Sequence, residues 1–285
     1  MYSITGITGK VGGVLAEALL EAGLPVRAVV RNAQKGQAWK DRGCDIAIAE
    51  MEDTEALASA FAGTEGVFIL PPSDFDPEPG YPSARRVIEA VRAALEKAQP
   101  ARIVCLSTIG ADATEDNLLS QRTLMEEALG TLAIPVTFLR AAWFLDNATW
   151  DIPSAKNEGV IHSFLMPLNK KFAMVATKDV GRTAAELIRE RWKGVRIVRL
   201  EGPERVSPND LAAAFSETLG HPVRAEVVSR DEWEDLFRGQ GMQYPGPRMR
   251  MLDGFNEGWI NFPEGDEDVL KGLISVRKFI AESVK

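Results

Sequence analysis

Two cysteines, two histidines and three tyrosines in 285 residues leave several chemistries short of material. Cys44 and Cys105 fall in no metal or redox spacing and read as reduced core residues on or beside interior strands. With only His162 and His221 besides, sulfur and imidazole cannot assemble a zinc site, so no metal is assigned; a carboxylate site is the alternative left. No apolar run approaches the ~20 residues that span a bilayer. No basic and apolar leader precedes the strand-like Tyr2-Ser3-Ile4-Thr5, so the expectation is a cytoplasmic chain without a membrane partner. A net charge of −8 provides no cationic surplus to track a phosphate backbone, which argues against direct nucleic-acid binding and leaves room only for a local basic pocket. At 45% hydrophobic, the chain can bury the core of one large domain or two modest ones.

Its N-terminal half alternates short β-branched runs with longer helical patterns, the sign of a parallel sheet covered on both faces. The spacing predicts strands at Tyr2–Thr5, Val26–Val30, Asp45–Ala49, Gly66–Leu70, Arg102–Leu106 and Val136–Leu139. Helices are predicted between them at Lys10–Glu21, Ala33–Arg42, Thr54–Phe61, Tyr81–Ala98 and Asn117–Leu129, with Gly23 as a stop and Asp53 as an N-cap. Right-handed crossovers make this a Rossmann-type, doubly wound α/β sheet. Later strands are predicted at Phe172–Ala176, Val195–Leu200 and Val223–Val228. Helices are expected at Asp179–Glu190 and, behind the cap Ser207-Pro208, at Asn209–Leu219. The expected division is a dinucleotide-binding domain of 1–147 plus about 178–203, with a smaller, chain-discontinuous C-terminal α/β domain of about 148–177 plus 204–285.

Gly6, Gly9 and Gly12 lie between the first strand and first helix, where glycine permits a tight turn and a close backbone approach to a diphosphate. The helix N-terminus adds free N–H groups and a favourable dipole, so Gly6, Thr8, Gly9, Lys10, Val11 and Gly12 form the candidate cofactor loop. Choice of dinucleotide turns on the end of the second strand. NAD sites usually place an acid there for the ribose hydroxyls; this chain has Arg31, with Lys35 a turn later. A guanidinium matches a 2′-phosphate, which favours NADP(H) over NAD(H), unless both cations are ordinary solvated charges. Glu50 and Met51 would border adenine or simply be an exposed acid and a packing methionine. Leu70 and Pro71 open a loop at a strand C-terminus, the ligand side of such sheets.

The chain resembles the NmrA-like group of atypical short-chain dehydrogenases/reductases, including its quinone-reductase-like and triphenylmethane-reductase-like members. The resemblance rests on TGITGKVGG (5–13), VVRNAQKG (29–36), FAGTEGVFIL (61–70), STIGA (107–111) and IPVTFLRAAWFLDN (134–147), with VATKDVGR (175–182) and LEGPERVSPNDLA (200–212) as later landmarks. In the wider superfamily it implies a Tyr-x-x-x-Lys pair after the fifth strand. Registered on Glu126, those positions hold Leu118 and Arg122. Leucine cannot transfer a proton, whereas Arg122 could donate to ribose hydroxyls. The resemblance therefore implies hydride delivery to a small planar or carbonyl acceptor such as a quinone without that pair, the proton coming from water.

Ser107 and Thr108 could bind the nicotinamide ribose or a substrate carbonyl, or merely cap their own strand. Trp143, Phe144 and Trp150 could stack on a planar acceptor or pack an interdomain hinge. Asn147 could orient that loop, and Arg140 reads as structural. Tyr2, Tyr81 and Tyr244 all lie off the candidate helix; Tyr81 could act only if the acidic loop folded over the cofactor. The alternative function is a non-catalytic, NADP(H)-sensing regulator that would need a protein partner. An epimerase is a third reading, disfavoured by Leu118.

Overall fold

The computed structural model describes residues 1–263, 265 and 268–285. Its centre is an eight-stranded parallel sheet. Strands β1 (Tyr2–Ile4), β2 (Val26–Val30) and β3 (Asp45–Ile48) run outward one way. β4 (Gly66–Ile69), β5 (Ile103–Thr108) and β6 (Val136–Ala141) run the other way from β1. The order therefore reverses between β1 and β4, opening a crevice at their C-terminal ends, where doubly wound sheets bind ligands.

Two strands extend the sheet beyond the six of the N-terminal half, the first of them predicted over Val195–Leu200. β10 (Val195–Glu201) pairs with β6, and β12 (Val269–Lys271) pairs with β10. Outside this sheet, β7 (Trp143–Phe144) pairs with β9 (Met174–Val175), and β8 (Val160–Ser163) with β11 (Arg224–Val227). The strand expected over Phe172–Ala176 is thus shorter, with Phe172 making only a bridge to Val206.

Helices α1 (Lys10–Glu21), α2 (Ala33–Asp41), α3 (Thr54–Phe61), α4 (Pro82–Ala98) and α5 (Ser120–Leu129) are the crossovers. A 3₁₀ turn at Leu145–Asp151 leads to α6 (Ile152–Glu158), followed by α7 (Thr177–Leu187) and α8 (Pro208–Leu219). The chain closes with α9 (Trp233–Gly239), α10 (Gly246–Glu257) and α11 (Val276–Ser283).

Strand residues alternate between two cores. Ile4, Phe68, Val104 and Leu139 join the core under α1 and α7, whereas Val67, Ile69, Cys105 and Phe138 join that under α3, α4 and α5. Both cysteines are free and buried. Burial on both faces is why these strands read as continuous apolar runs.

Helix ends follow local chemistry. Asp53 accepts from the Ala56 N–H, and Ser207 with Asp210 forms a reciprocal capping box. Tyr81, expected inside α4, is its N-cap, in a left-handed conformation with φ 58°. α5 begins three residues later than predicted. Asn117 and Leu118 form the turn before it, and the Leu118 N–H bonds the Pro247 carbonyl at 2.9 Å. No helix among the described residues is long and apolar enough to cross a membrane.

Candidate functional site

Thr5 joins the two strands that flank the crevice. Its hydroxyl donates to the Phe68 carbonyl (3.1 Å) and accepts from the Leu70 N–H (2.8 Å). The chain then turns at Gly6, whose φ of +64° favours glycine, and enters α1 through Gly9, whose N–H returns to the Gly6 carbonyl at 3.0 Å. At Gly12 any Cβ would collide with that same carbonyl oxygen. These glycines press α1 onto the turn, and α1 starts with no side-chain cap and no acid in its first turn. Such an end is a ready site for a diphosphate.

Thr8 and Lys10 are exposed on this loop, and Val11 is buried beneath it. Lys10 reaches across to Asp146 (3.0 Å). Asp146 also accepts from the Thr177 N–H (2.9 Å) and hydroxyl (2.8 Å), fixing the glycine loop to the Leu145–Asp151 turn and to α7. Sequence reasoning missed Asp146; its only signal was its place beside Asn147 in the FLDN run.

At the end of β2, Asn32 caps α2 by accepting from the Lys35 N–H (3.0 Å). Arg31 and Lys35 are exposed, and neither meets a carboxylate among the described residues. Glu50 is exposed after β3, while Met51 packs against the core under α3.

Across the crevice, Leu70 faces Gly6 and the chain continues into Pro71 and Pro72. Arg122, from α5, donates to the carbonyls of Pro71 (3.2 Å) and Pro72 (3.3 Å) and to the Ser73 hydroxyl (3.2 Å). Two predicted site residues, Pro71 and Arg122, therefore meet directly. The rest of the loop is also held. Gln121 donates to the Asp74 carbonyl (2.9 Å), and Asp76 accepts from the N–H groups of Gln243 (2.7 Å) and Tyr244 (2.6 Å).

Ser107, at the end of β5, donates to Glu126, which is also gripped by Arg140 through Nε (3.0 Å) and Nη2 (2.7 Å). The third arm of Arg140 meets Asp112 at 2.6 Å. Burial opposes the Arg140 charge, but the two carboxylates outweigh it and raise its pKa. Thr108 is half-buried, and its hydroxyl has no hydrogen bond among the described residues.

Buried Tyr81 hydrogen-bonds Asp116 (2.6 Å), with the Asn117 carbonyl 2.9 Å away. Burial and the Asp116 carboxylate push this phenol well above the ordinary tyrosine range. Leu118, the position registered to the superfamily tyrosine, is buried.

Beyond β6, Trp143 stands edge-on to Phe255 of α10 at 5.0 Å, and Phe144 pairs with Val175. Asn147 is half-buried in the following turn, whereas Trp150 is 71% exposed.

Sheet order and glycine turn together define a Rossmann-type protein. The chain belongs to the NmrA-like family, whose model matches residues 3–247. It is 28% identical over 244 residues to quinone oxidoreductase 2 of Escherichia coli K12, covering 85% of this chain and 82% of that protein. It is 25% identical over 277 residues to the NAD(P)H azoreductase of Xenophilus azovorans, covering 96% and 90%. Among solved structures, the E. coli NADPH-dependent quinone oxidoreductase in complex with NADPH superposes with a TM-score of 0.82 at 23% identity, covering 99% of both chains. Triphenylmethane reductase from Citrobacter sp. superposes at 0.81 with 22% identity and the same coverage.

Proposed function

We propose that this chain is an NADPH-dependent oxidoreductase that reduces a small planar or carbonyl acceptor, such as a quinone, without a Tyr-Lys pair. The observation carrying this reading is the uncapped N-terminus of α1 over the Gly6–Gly12 turn, with two exposed cations, Arg31 and Lys35, that meet no carboxylate among the described residues, following the neighbouring strand. Gly6, Thr8, Gly9, Lys10, Val11 and Gly12 would hold the diphosphate, and Arg31 and Lys35 the 2′-phosphate. Glu50 and Met51 would border adenine, and Leu70 and Pro71 the nicotinamide half. When bound, the nicotinamide supplies a hydride.

The acceptor side is assigned to Thr108, Trp143, Phe144 and Asn147. The one Ser107 proton is committed to Glu126, so Ser107 can accept from a ribose hydroxyl but cannot polarise a carbonyl. Thr108 has a hydroxyl to give. Leu118 offers no proton, and the Tyr81 phenol is held by Asp116, so water is the proton source. The quinone and azo-compound reductases among the relatives support a conjugated acceptor.

The test is to follow NADPH absorbance with purified protein and a panel of quinones, azo dyes, triarylmethane dyes and enones. Turnover of at least one class is expected, with NADH poorer. Tight NADPH binding without any turnover would instead favour the sensor reading.

A further inference from the structure

α10 is tied to the crevice at two points. Near its start, the Pro247 carbonyl takes the N–H of Leu118, the position registered to the superfamily tyrosine, at 2.9 Å. Near its end, Phe255 stands edge-on to Trp143 of the proposed acceptor wall. Met251, Leu252 and Phe255 are buried. Arg248 precedes them by three, four and seven residues, so it stands on the same inward stripe of the helix, about 10 Å along the axis from Phe255.

Neighbouring cations are already held. Arg238 bonds Glu234 at 2.9 Å, Arg230 bonds Asp253 at 2.7 Å, and Lys170 donates to the Phe255 and Asn256 carbonyls at 2.9 and 2.7 Å. Arg248 differs. It is half-buried and meets no carboxylate among the described residues. Its guanidinium lies over the Phe237 ring, 4.3 Å from the centroid, and its one hydrogen bond among those residues runs from Nη1 to the Met242 sulfur at 3.7 Å. A guanidinium carries five N–H donors and a thioether is a weak acceptor, so most of this donor capacity is unspent. Removal from water pulls its pKa below the ordinary guanidinium value. A cation so placed gains from an anion that brings both charge and acceptor oxygens. The polar groups assigned to the acceptor, Thr108 and Asn147, are neutral, and Arg140 is spent on Glu126 and Asp112.

We propose that Arg248 sets the substrate class by binding an oxyanion substituent, a sulfonate, carboxylate or phosphate, carried by the planar acceptor, with the Phe237 ring fixing the plane of the guanidinium. This assignment rests on the proposed reductase reading. The substituent is a spectator of the redox step: the acceptor gains a hydride from NADPH and a proton from water, NADP⁺ and hydroxide are left, and the oxyanion keeps all its bonds.

The full-length protein is assayed with saturating NADPH on menadione and on a naphthoquinone sulfonate, an uncharged and an anionic acceptor of one ring system. Arg248→Met keeps an apolar stem over Phe237, and its loss in kcat/KM should be at least about tenfold larger for the sulfonate than for menadione, the scale of one charge-assisted bond. Arg248→Lys keeps the charge without the fork and should recover part of that difference. In parallel, calorimetric titration in saturating NADP⁺ compares naphthalene sulfonate with naphthol, neither of which is reduced. Wild type should bind the sulfonate about tenfold or more tightly, with the excess shrinking as salt rises. Equal losses for both quinones in Arg248→Met would show a packing role and overturn the assignment. So would wild type without a sulfonate preference, which decides the matter if Arg248→Met fails to fold. Sulfonate binding that depends on Arg248, without turnover of either quinone, would uphold the anion site and remove the reductase reading; menadione turnover without sulfonate preference would do the reverse.

Discussion

Replacing Arg31 separates the two dinucleotides. The guanidinium stands exposed at the end of β2 with no carboxylate partner among the described residues, so its charge is available to a 2′-phosphate. One charge-assisted hydrogen bond contributes about 1.5–3 kcal/mol. Exposure and salt favour the lower end, and Lys35 retains part of the attraction. Arg31→Ala should therefore weaken NADPH binding about tenfold. Arg31→Glu adds repulsion of about 1–4 kcal/mol for charges near 4 Å in a surface dielectric, bringing the loss to about a hundredfold or more. NADH has no 2′-phosphate, so its affinity should stay within about twofold in Arg31→Ala. Fluorescence titration with both nucleotides at low and high salt reads this, and the NADPH difference should shrink as salt rises. Equal weakening of NADPH and NADH, or no weakening of NADPH, would refute the assignment of Arg31.

Two further perturbations test the scaffold. Glu126→Leu strips buried Arg140 of its bidentate partner and should cost about 3 kcal/mol in urea unfolding, with Arg140→Met in the same chain recovering most of it; simple addition of the two losses would contradict the network. The Asp151 carboxyl is raised to about 6 by burial, against an opposing pull from His162. A folded pKa above the unfolded value means that stability is lost as pH climbs from about 4 through about 6. Asp151→Asn removes that loss and should gain on the order of 1–2 kcal/mol over wild type at pH 7.5 relative to pH 3.5; a pH-independent difference would contradict it.

β1, β2, β4, β5 and β6 were legible because burial inside the sheet wrote apolar runs, whereas β3, at the sheet edge and largely uncovered, was legible from its β-branched pattern and the Asp53 cap that follows it. β12 was not: three residues, Val269–Lys271, carry no period, and the segment after it is placed by Asp179 accepting the Leu273 and Ile274 N–H groups (both 2.9 Å) from about ninety residues away. The start of α5 shifted for a similar reason, since Pro247 takes the Leu118 N–H. The Gly6–Gly12 turn was readable from local rules. Asp146 on Lys10, Arg122 on the Pro71-Pro72 loop and Asp76 on Gln243 were not, being side-chain contacts between distant segments. Ser107 was left between a nicotinamide contact and a local cap; its proton goes instead to Glu126 on the next helix.

The central claim is reduction without a tyrosine acid. It is tested most directly by the kcat for NADPH-dependent quinone reduction in wild type and in Tyr81→Phe, across pH 6 to 9. The account predicts the same kcat within about twofold in both, because the phenol is held by Asp116 and moves no proton. A loss of 10²-fold or more in Tyr81→Phe, the scale of a missing general acid, would contradict it.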